Sequence, residues 1–345
     1  MTNKGGPALV IGASGFLGGH VVRALAARGR EVRILARPSS DLSGLDGLAY
    51  DKRIGDLADK KTLLDAMKGC GTIFHGAVDT RAWLSDPAPL YRTNVDGLVN
   101  SMEAALETGV ERFVHTGTIG TIGVHAGRPV TEDDAFNWYD RAPQYLRSRA
   151  DGEKKFFEYC RERGLPGISL CVANTYGPHD RQPTPHGELL WQAAKGTMPF
   201  VLNAGVPWVD VRDAAEALLL AEDKGRTGTR YIVSAGHVTQ TELHALAAAV
   251  LGKRPPRTMP VRLALAAARA SHLVSRIRGL HDQRLCPDSI VLATAFGPLD
   301  SARTREDLGW TPRPLEESVQ DAVRWFSEHH LSTSRDAEPS PDAPR

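Results

Sequence analysis

The chain has little that would mark it for a specialised environment. Its 42 Lys and Arg stand against 41 Asp and Glu, a formal net charge of +1. That balance gives no electrostatic reason to expect nucleic acid or an acidic membrane surface as a partner. Four cysteines, Cys70, Cys160, Cys171 and Cys286, show no paired spacing, so neither a zinc site nor a disulfide framework is indicated. Reduced thiols and a cytoplasmic setting are expected. The residues after Met1 carry no signal-peptide pattern. The most apolar late stretch, 261–274, is broken by Arg262, Arg269 and His272, too short and too charged to span a bilayer. It reads as a packed helix of a smaller lobe, ahead of an amphipathic surface. There is no internal repeat and no His/Asp/Glu group at metal-ligand spacing, so no metal is expected.

What is present is alternation. Short apolar runs and amphipathic stretches take turns through the first half, the sequence form of a parallel, doubly wound sheet. Strands are expected at 8–11, 31–36, just before Gly55, and at 72–75, 112–116 and 168–172. Helices are expected at 17–27, 62–67, 90–107 and 143–163. In the first of these, Leu17, Val21 and Leu25 recur at i+4 on one face. After Asn174 a proline-rich stretch interrupts regular structure, as at a crossing to another lobe. Segments 209–220 and 230–233 read as returns to the main sheet. The expected division is 1–176 with 207–235 as the sheet domain, 177–206 with 236–331 as a mainly helical substrate lobe, and 332–345 as a disordered tail.

Gly12-Ala13-Ser14-Gly15-Phe16-Leu17-Gly18 lies between the first strand and the first helix, as G-x-x-G-x-x-G. In that context Gly12 allows the tight turn and Gly15 lets backbone approach a pyrophosphate. Gly18 lets the helix pack close to the sheet, its first amides facing the phosphates. This is a Rossmann dinucleotide turn. An NAD protein places Asp or Glu at the end of the second strand, where it accepts from the ribose hydroxyls. Here that end reads Ala36-Arg37-Pro38-Ser39-Ser40, with no acid before Asp41. A guanidinium fork suits a 2′-phosphate, so NADP is expected ahead of NAD.

Further pieces follow in order: Gly55-Asp56-Leu57, Phe74-His75-Gly76-Ala77, Asn94-Val95-Asp96-Gly97, Tyr176-Gly177-Pro178, Val209-Asp210-Val211-Arg212-Asp213-Ala214 and Leu308-Gly309-Trp310-Thr311-Pro312. With the glycine turn they resemble the extended short-chain dehydrogenase/reductase family over nearly the whole chain to residue 330. The stretch 75–83 and the Arg37 region look most like dihydroflavonol reductases, hydroxysteroid dehydrogenases and a hopanoid-associated, epimerase-like group. The resemblance implies Asp56 and Leu57 near the adenine, Ala77 near the nicotinamide ribose, and Asn94 on the helix beside the active site.

It also implies a hydroxyl at the end of strand five that orients a carbonyl. A Tyr and Lys one helical turn apart would then move the proton and hold the ribose. Thr118 falls at the hydroxyl position and Tyr145 at the tyrosine position. The i+4 partner of Tyr145 is Arg149, not lysine. Arginine keeps a positive charge near the phenol but cannot deprotonate. A second such pair, Tyr159 and Arg163, sits lower on the same helix and is a control for chance. His75 and His115, in apolar strands, read as core histidines. Trp83, Asn174 and Tyr176 are expected to wall the substrate.

The leading expectation is an NADP-dependent reductase or dehydrogenase of a ketone or secondary alcohol on a fairly apolar small molecule. An alternative is a nucleotide-sugar epimerase or dehydratase; against it, Cys171 stands where many such members carry an arginine. A third is a silent NADP-binding sensor or scaffold, motivated by Arg149. Neither nucleic acid nor membrane is expected as a partner, whereas a homodimer through a helical face fits the resemblance.

Overall fold

A computed structural model describes residues 5–277 and 286–329. The expected tail lies outside them. The first half runs β1 (Ala8–Ile11), α1 (Phe16–Ala27), β2 (Val32–Ala36), β3 (Asp51–Ile54), α2 (Lys60–Met67), β4 (Thr72–His75), α3 (Ala88–Tyr91), α4 (Gly97–Thr108), β5 (Arg112–Thr118), α5 (Gln144–Arg163) and β6 (Gly167–Val172). Then come β7 (Asn174–Tyr176), α6 (Pro185–Lys195), β8 (Phe200–Leu202), β9 (Gly205–Asp210), α7 (Val211–Lys224), β10 (Arg230–Val233), β11 (Gly236–Thr239), α8 (Gln240–Val250), β12 (Arg257–Met259), α9 (Val261–Ile277), α10 (Pro287–Thr294), α11 (Ala302–Leu308) and α12 (Leu315–Glu328).

Seven strands form one sheet in the order β10-β6-β5-β4-β1-β2-β3, every pair parallel. Parallel strands covered on both faces must be apolar on both, which is why β1, β4 and β6 are buried throughout. On one face Val21 and Leu25 of α1 and Leu218 of α7 pack with Leu308 and Trp310. On the other, Leu63 of α2, Met102 of α4 and Phe156 of α5 do the same. Each such fully buried side chain contributes roughly 1.5–3 kcal/mol. The strand order reverses between β1 and β4, and a ligand cleft is expected beyond the carboxyl ends at that point.

Three expectations are corrected. Segment 209–220 is not a return to the main sheet: it is the end of β9, which pairs with β7 and β11, followed by helix α7. Asp210 caps that helix by accepting from the Arg212 amide. The fifth strand does not stop at Thr116; Gly117 and Thr118 continue it, opposite Cys171 and Val172 of β6. The helix expected over 90–107 contains a π-helical turn, Arg92–Asp96, between α3 and α4. No helix of the described residues is long and apolar enough to cross a membrane.

Candidate active site

At the switch point the glycine turn is shaped by close approach. Gly12 has φ +93°, and a Cβ there would stand 2.7 Å from the Ala77 amide nitrogen. A Cβ on Gly18 would lie 2.1 Å from the Gly12 carbonyl oxygen. Only hydrogen fits at either place, so α1 starts directly against the ends of β1 and β4. Gly15 is its N-cap and offers no side chain to the first-turn amides; Ser14 and Gly15 are exposed and Phe16 and Leu17 half-buried. Unclaimed amides at a helix start, reached through a turn with no side chain in the way, fit a pyrophosphate.

Beside it, Arg37, Ser39, Gly55, Asp56 and Thr62 line a cleft of about 460 Å³. Asp56 accepts from the Ala58 amide, and the Leu57 carbonyl accepts from the Asn100 side chain, which ties this loop to α4. Asp41, the first acid after β2, spends its carboxylate on the amide and hydroxyl of Ser43, at 3.0 and 2.6 Å. Arg37 is exposed at the strand tip, so the cleft edge carries a cation where an NAD site needs a carboxylate.

Thr118 ends β5, and Tyr145 and Arg149 lie on α5, which Arg149 ties to β5. Thr118 is half-buried and its hydroxyl accepts from the Gly120 amide. Tyr145 lies one turn before Arg149 and packs in an apolar cluster with Phe136, Trp138, Val291, Leu292 and Phe296. Arg149 is buried, and its Nη2 donates to the Thr116 carbonyl at 2.8 Å. No carboxylate lies within ion-pair distance of it among the described residues. His75 and His115 are buried nearby, as expected of core histidines; neither ring nitrogen of His75 nor Nδ1 of His115 has a partner. Burial and then the Arg149 charge push His75 down to about 4, and the same two causes hold His115 well below its usual value.

Asn94 braces α5. Its side-chain amide accepts from the Asp79 amide at 2.9 Å, donates to the Asp79 carbonyl at 3.0 Å, and donates to Ser148 Oγ at 3.0 Å. Ser148 in turn donates to the Tyr145 carbonyl at 2.7 Å. One side chain on the π-helical turn thus fixes the loop after Ala77 and the helix that carries Tyr145. Ser148 is absent from the sequence-based candidates. A hydroxyl between Tyr145 and Arg149, on the buried face of the helix, was the available signal.

The remaining candidates lie on other elements. Tyr176 is 4% exposed in a separate apolar cluster with Trp191 and Trp208. Asn174 pairs with Trp208 in the three-stranded sheet, and Trp83 is half-buried in the loop after β4. Tyr159 and Arg163 both bind Glu103 and serve to join α5 to α4. Cys171 is fully buried and donates to Glu153, so that position faces the core and says nothing about a sugar-nucleotide substrate.

Comparison with known proteins supports the fold and the family. The model of the NAD dependent epimerase/dehydratase family matches residues 8–234. The chain is 33% identical to sterol demethylase protein B of Methylococcus capsulatus, over 94% of this chain and 99% of that protein. It is 28% identical to a dihydroflavonol 4-reductase of Zea mays, over 74% and 77%. UDP-glucose 4-epimerase of Thermotoga maritima, at 22% identity, shares the fold with a TM-score of 0.78 over 94% of this chain and all of the other. A match across the whole sheet and a relative alike from end to end leave one conclusion: this chain belongs to the NAD dependent epimerase/dehydratase family, among the extended short-chain dehydrogenases/reductases, and is an NAD(P)-dependent enzyme.

Proposed function

We propose that the enzyme is an NADP-dependent reductase, or reversible dehydrogenase, acting on a ketone or secondary alcohol of a fairly apolar small molecule. The observation that carries this reading is the apolar wall to which Tyr145 belongs: Trp138, Ala142 and Leu146 are its buried core, and Tyr145 packs against it together with Phe136, Val291, Leu292 and Phe296. Such a wall rewards a hydrocarbon substrate and leaves the many hydroxyls of a sugar without partners. NADP in preference to NAD rests on Arg37 and on the engagement of Asp41 with Ser43.

In this reading the glycine turn holds the pyrophosphate, Arg37 the 2′-phosphate and Arg149 the ribose beside the nicotinamide. The nicotinamide, when bound, supplies or receives the hydride. Thr118 donates its hydroxyl proton in a hydrogen bond to the substrate oxygen and so polarises the carbonyl. Tyr145 delivers the proton to that oxygen, or takes it back in the reverse direction. The apolar wall keeps water from competing for either bond.

Fluorescence titration with NADPH and NADH tests the cofactor. NADPH should bind more tightly, and Arg37→Glu should reverse the preference. Turnover of hydrophobic ketones tests the chemistry: Tyr145→Phe should lose about 10²–10⁴-fold while still binding NADPH. Unchanged turnover in that variant removes the mechanism. NAD retained through purification would favour the epimerase reading.

A further inference from the structure

The net charge of +1 conceals a strong segregation. Between Glu242 and Asp282 there is no carboxylate but there are seven cations, Lys253, Arg254, Arg257, Arg262, Arg269, Arg276 and Arg278. With these seven set aside, 35 basic residues face 41 acidic ones in the rest of the chain, a balance of −6. Lys253, Arg254, Arg257, Arg262 and Arg269 are all exposed, and none has an ion-pair partner among the described residues.

The same face carries apolar side chains in solvent. Along α9, Leu263 is 62% exposed, and Ala266, Ala267 and Ala270 are exposed beside it, while Ala264 and Ala268 turn inward. Phe200, at the start of β8, is 48% exposed and stands opposite Arg257 of β12. The expectation of a packed helix is therefore half met: one stripe of α9 packs and the other is a mixture of arginine and hydrocarbon. The inward stripe rests on Ile290 of α10. The next residues of α10, Val291 and Leu292, pack against the same apolar cluster as Tyr145. The basic face is thus one helix layer away from the candidate active site.

We infer that this face, α9 with the β8–β12 edge, docks the enzyme on an anionic phospholipid surface. Cations flanking exposed Leu and Phe match negative headgroups above acyl chains. A second copy meeting face to face would set five unpaired cations against five, which opposes a symmetric dimer here. A duplex backbone would reward the arginines, but it would leave Leu263 and the alanine stripe without any gain. The inference stands apart from the reductase reading, although a membrane-dissolved apolar substrate would suit both.

Co-sedimentation of the full-length protein with vesicles tests it. Binding is expected to vesicles of phosphatidylglycerol mixed with phosphatidylcholine, to weaken as salt rises, and to be lost on pure phosphatidylcholine. Arg262→Gln with Arg269→Gln should weaken binding about 30-fold, from the typical contribution of two surface cations. Leu263→Asp should weaken it further at high salt, where insertion dominates. Melting temperature and turnover of a water-soluble ketone should match the parent in these variants. Equal binding to both lipids, binding indifferent to the substitutions, or retention by duplex DNA without retention by vesicles would each overturn the inference. Because the vesicle assay needs no turnover, failure of the reductase reading leaves its result unaffected.

Discussion

At the scale of single residues the site turns on Arg149. A buried guanidinium is costly unless its donors are used, and here a strand-end carbonyl, that of Thr116, takes one of them at 2.8 Å. In the proposed reading the other donors hold a ribose. Arg149→Lys keeps the charge and should retain or raise turnover, whereas Arg149→Met should lower it by at least tenfold while leaving the fold intact. Steady-state kinetics and a melting curve on both variants check this; if Met performs as well as Arg, the charge has no role. Tyr145 and Arg149 could be singled out as neighbours in the sequence because an i, i+4 pair on a helix needs only a count of residues, and Thr118 because the family resemblance places a hydroxyl at the end of strand five. The bond from Arg149 to Thr116 was not, since it depends on how closely α5 approaches β5. Asp41 shows the same limit: its distance along the chain was readable, but its bonds to Ser43 were not.

At the scale of elements, the seating of α5 on the π-helical turn depends on Gly152. A Cβ there would stand 2.3 Å from the Asn94 carbonyl oxygen, so α5 presses backbone to backbone on the π-helical turn. Gly152→Ala should push α5 outward, strain the Asn94–Ser148 bond, and cost stability on the order of 1–3 kcal/mol as an overpacked contact. Urea unfolding reads this cost, and a midpoint equal to that of the parent would refute it. Insertion of an extra residue into a helical turn is common at functional sites, and this one aims Asn94. No periodicity announces it, which is why an uninterrupted helix was read over 90–107. Strands β1, β4 and β6 were legible as continuous apolar runs because both their faces are buried. Strand β3, Asp-Lys-Arg-Ile, is exposed along its length, and only the following Gly55 marked it. Helix α7 misled for a different reason. Strand β9 ends at Asp210 and the helix starts at Val211 with no loop between them, so a strand end and a helix read as one segment, although Arg212, Glu216 and Leu220 recur at i+4 on its less buried face.

At the scale of the whole molecule, burial sets the response to acid. His20 and His75 are held at about 4, and His115 and His244 are also lowered, in each case first by burial. An unfolded histidine titrates near ~6.5, so between that pH and about 4 the unfolded chain binds protons that the folded chain refuses. A depressed folded-state value means stability present above the unfolded value and lost as pH falls. Each of the four contributes a slope of up to about 1.4 kcal/mol per pH unit inside that window. Asp180, raised to about 6 by burial, acts in the opposite direction, losing stability as pH rises. His179 and His186 are likewise lowered to about 4 and Glu132 is raised like Asp180, so six histidines stand against two carboxylates and the urea midpoint should fall steadily from pH 6.5 toward 4. His75→Leu should make the fall shallower; a flat profile would show that these rings take up protons without loss of fold.

The return of the chain to the sheet after its excursion through the lobe bears on how the protein is made. Leu308 and Trp310 complete the apolar layer over one face of the sheet, and the Trp310 indole donates to the Asp213 carbonyl at 2.9 Å. Arg313 then binds the Asp213 carboxylate. During synthesis every strand of that sheet has left the ribosome by residue 233, yet its last covering side chains follow some 75 residues later. At ribosomal rates of about 5–20 residues per second, the layer stays open for several seconds. A chain stalled before Trp310 therefore presents a greasy, half-roofed sheet to whatever chaperone waits at the exit.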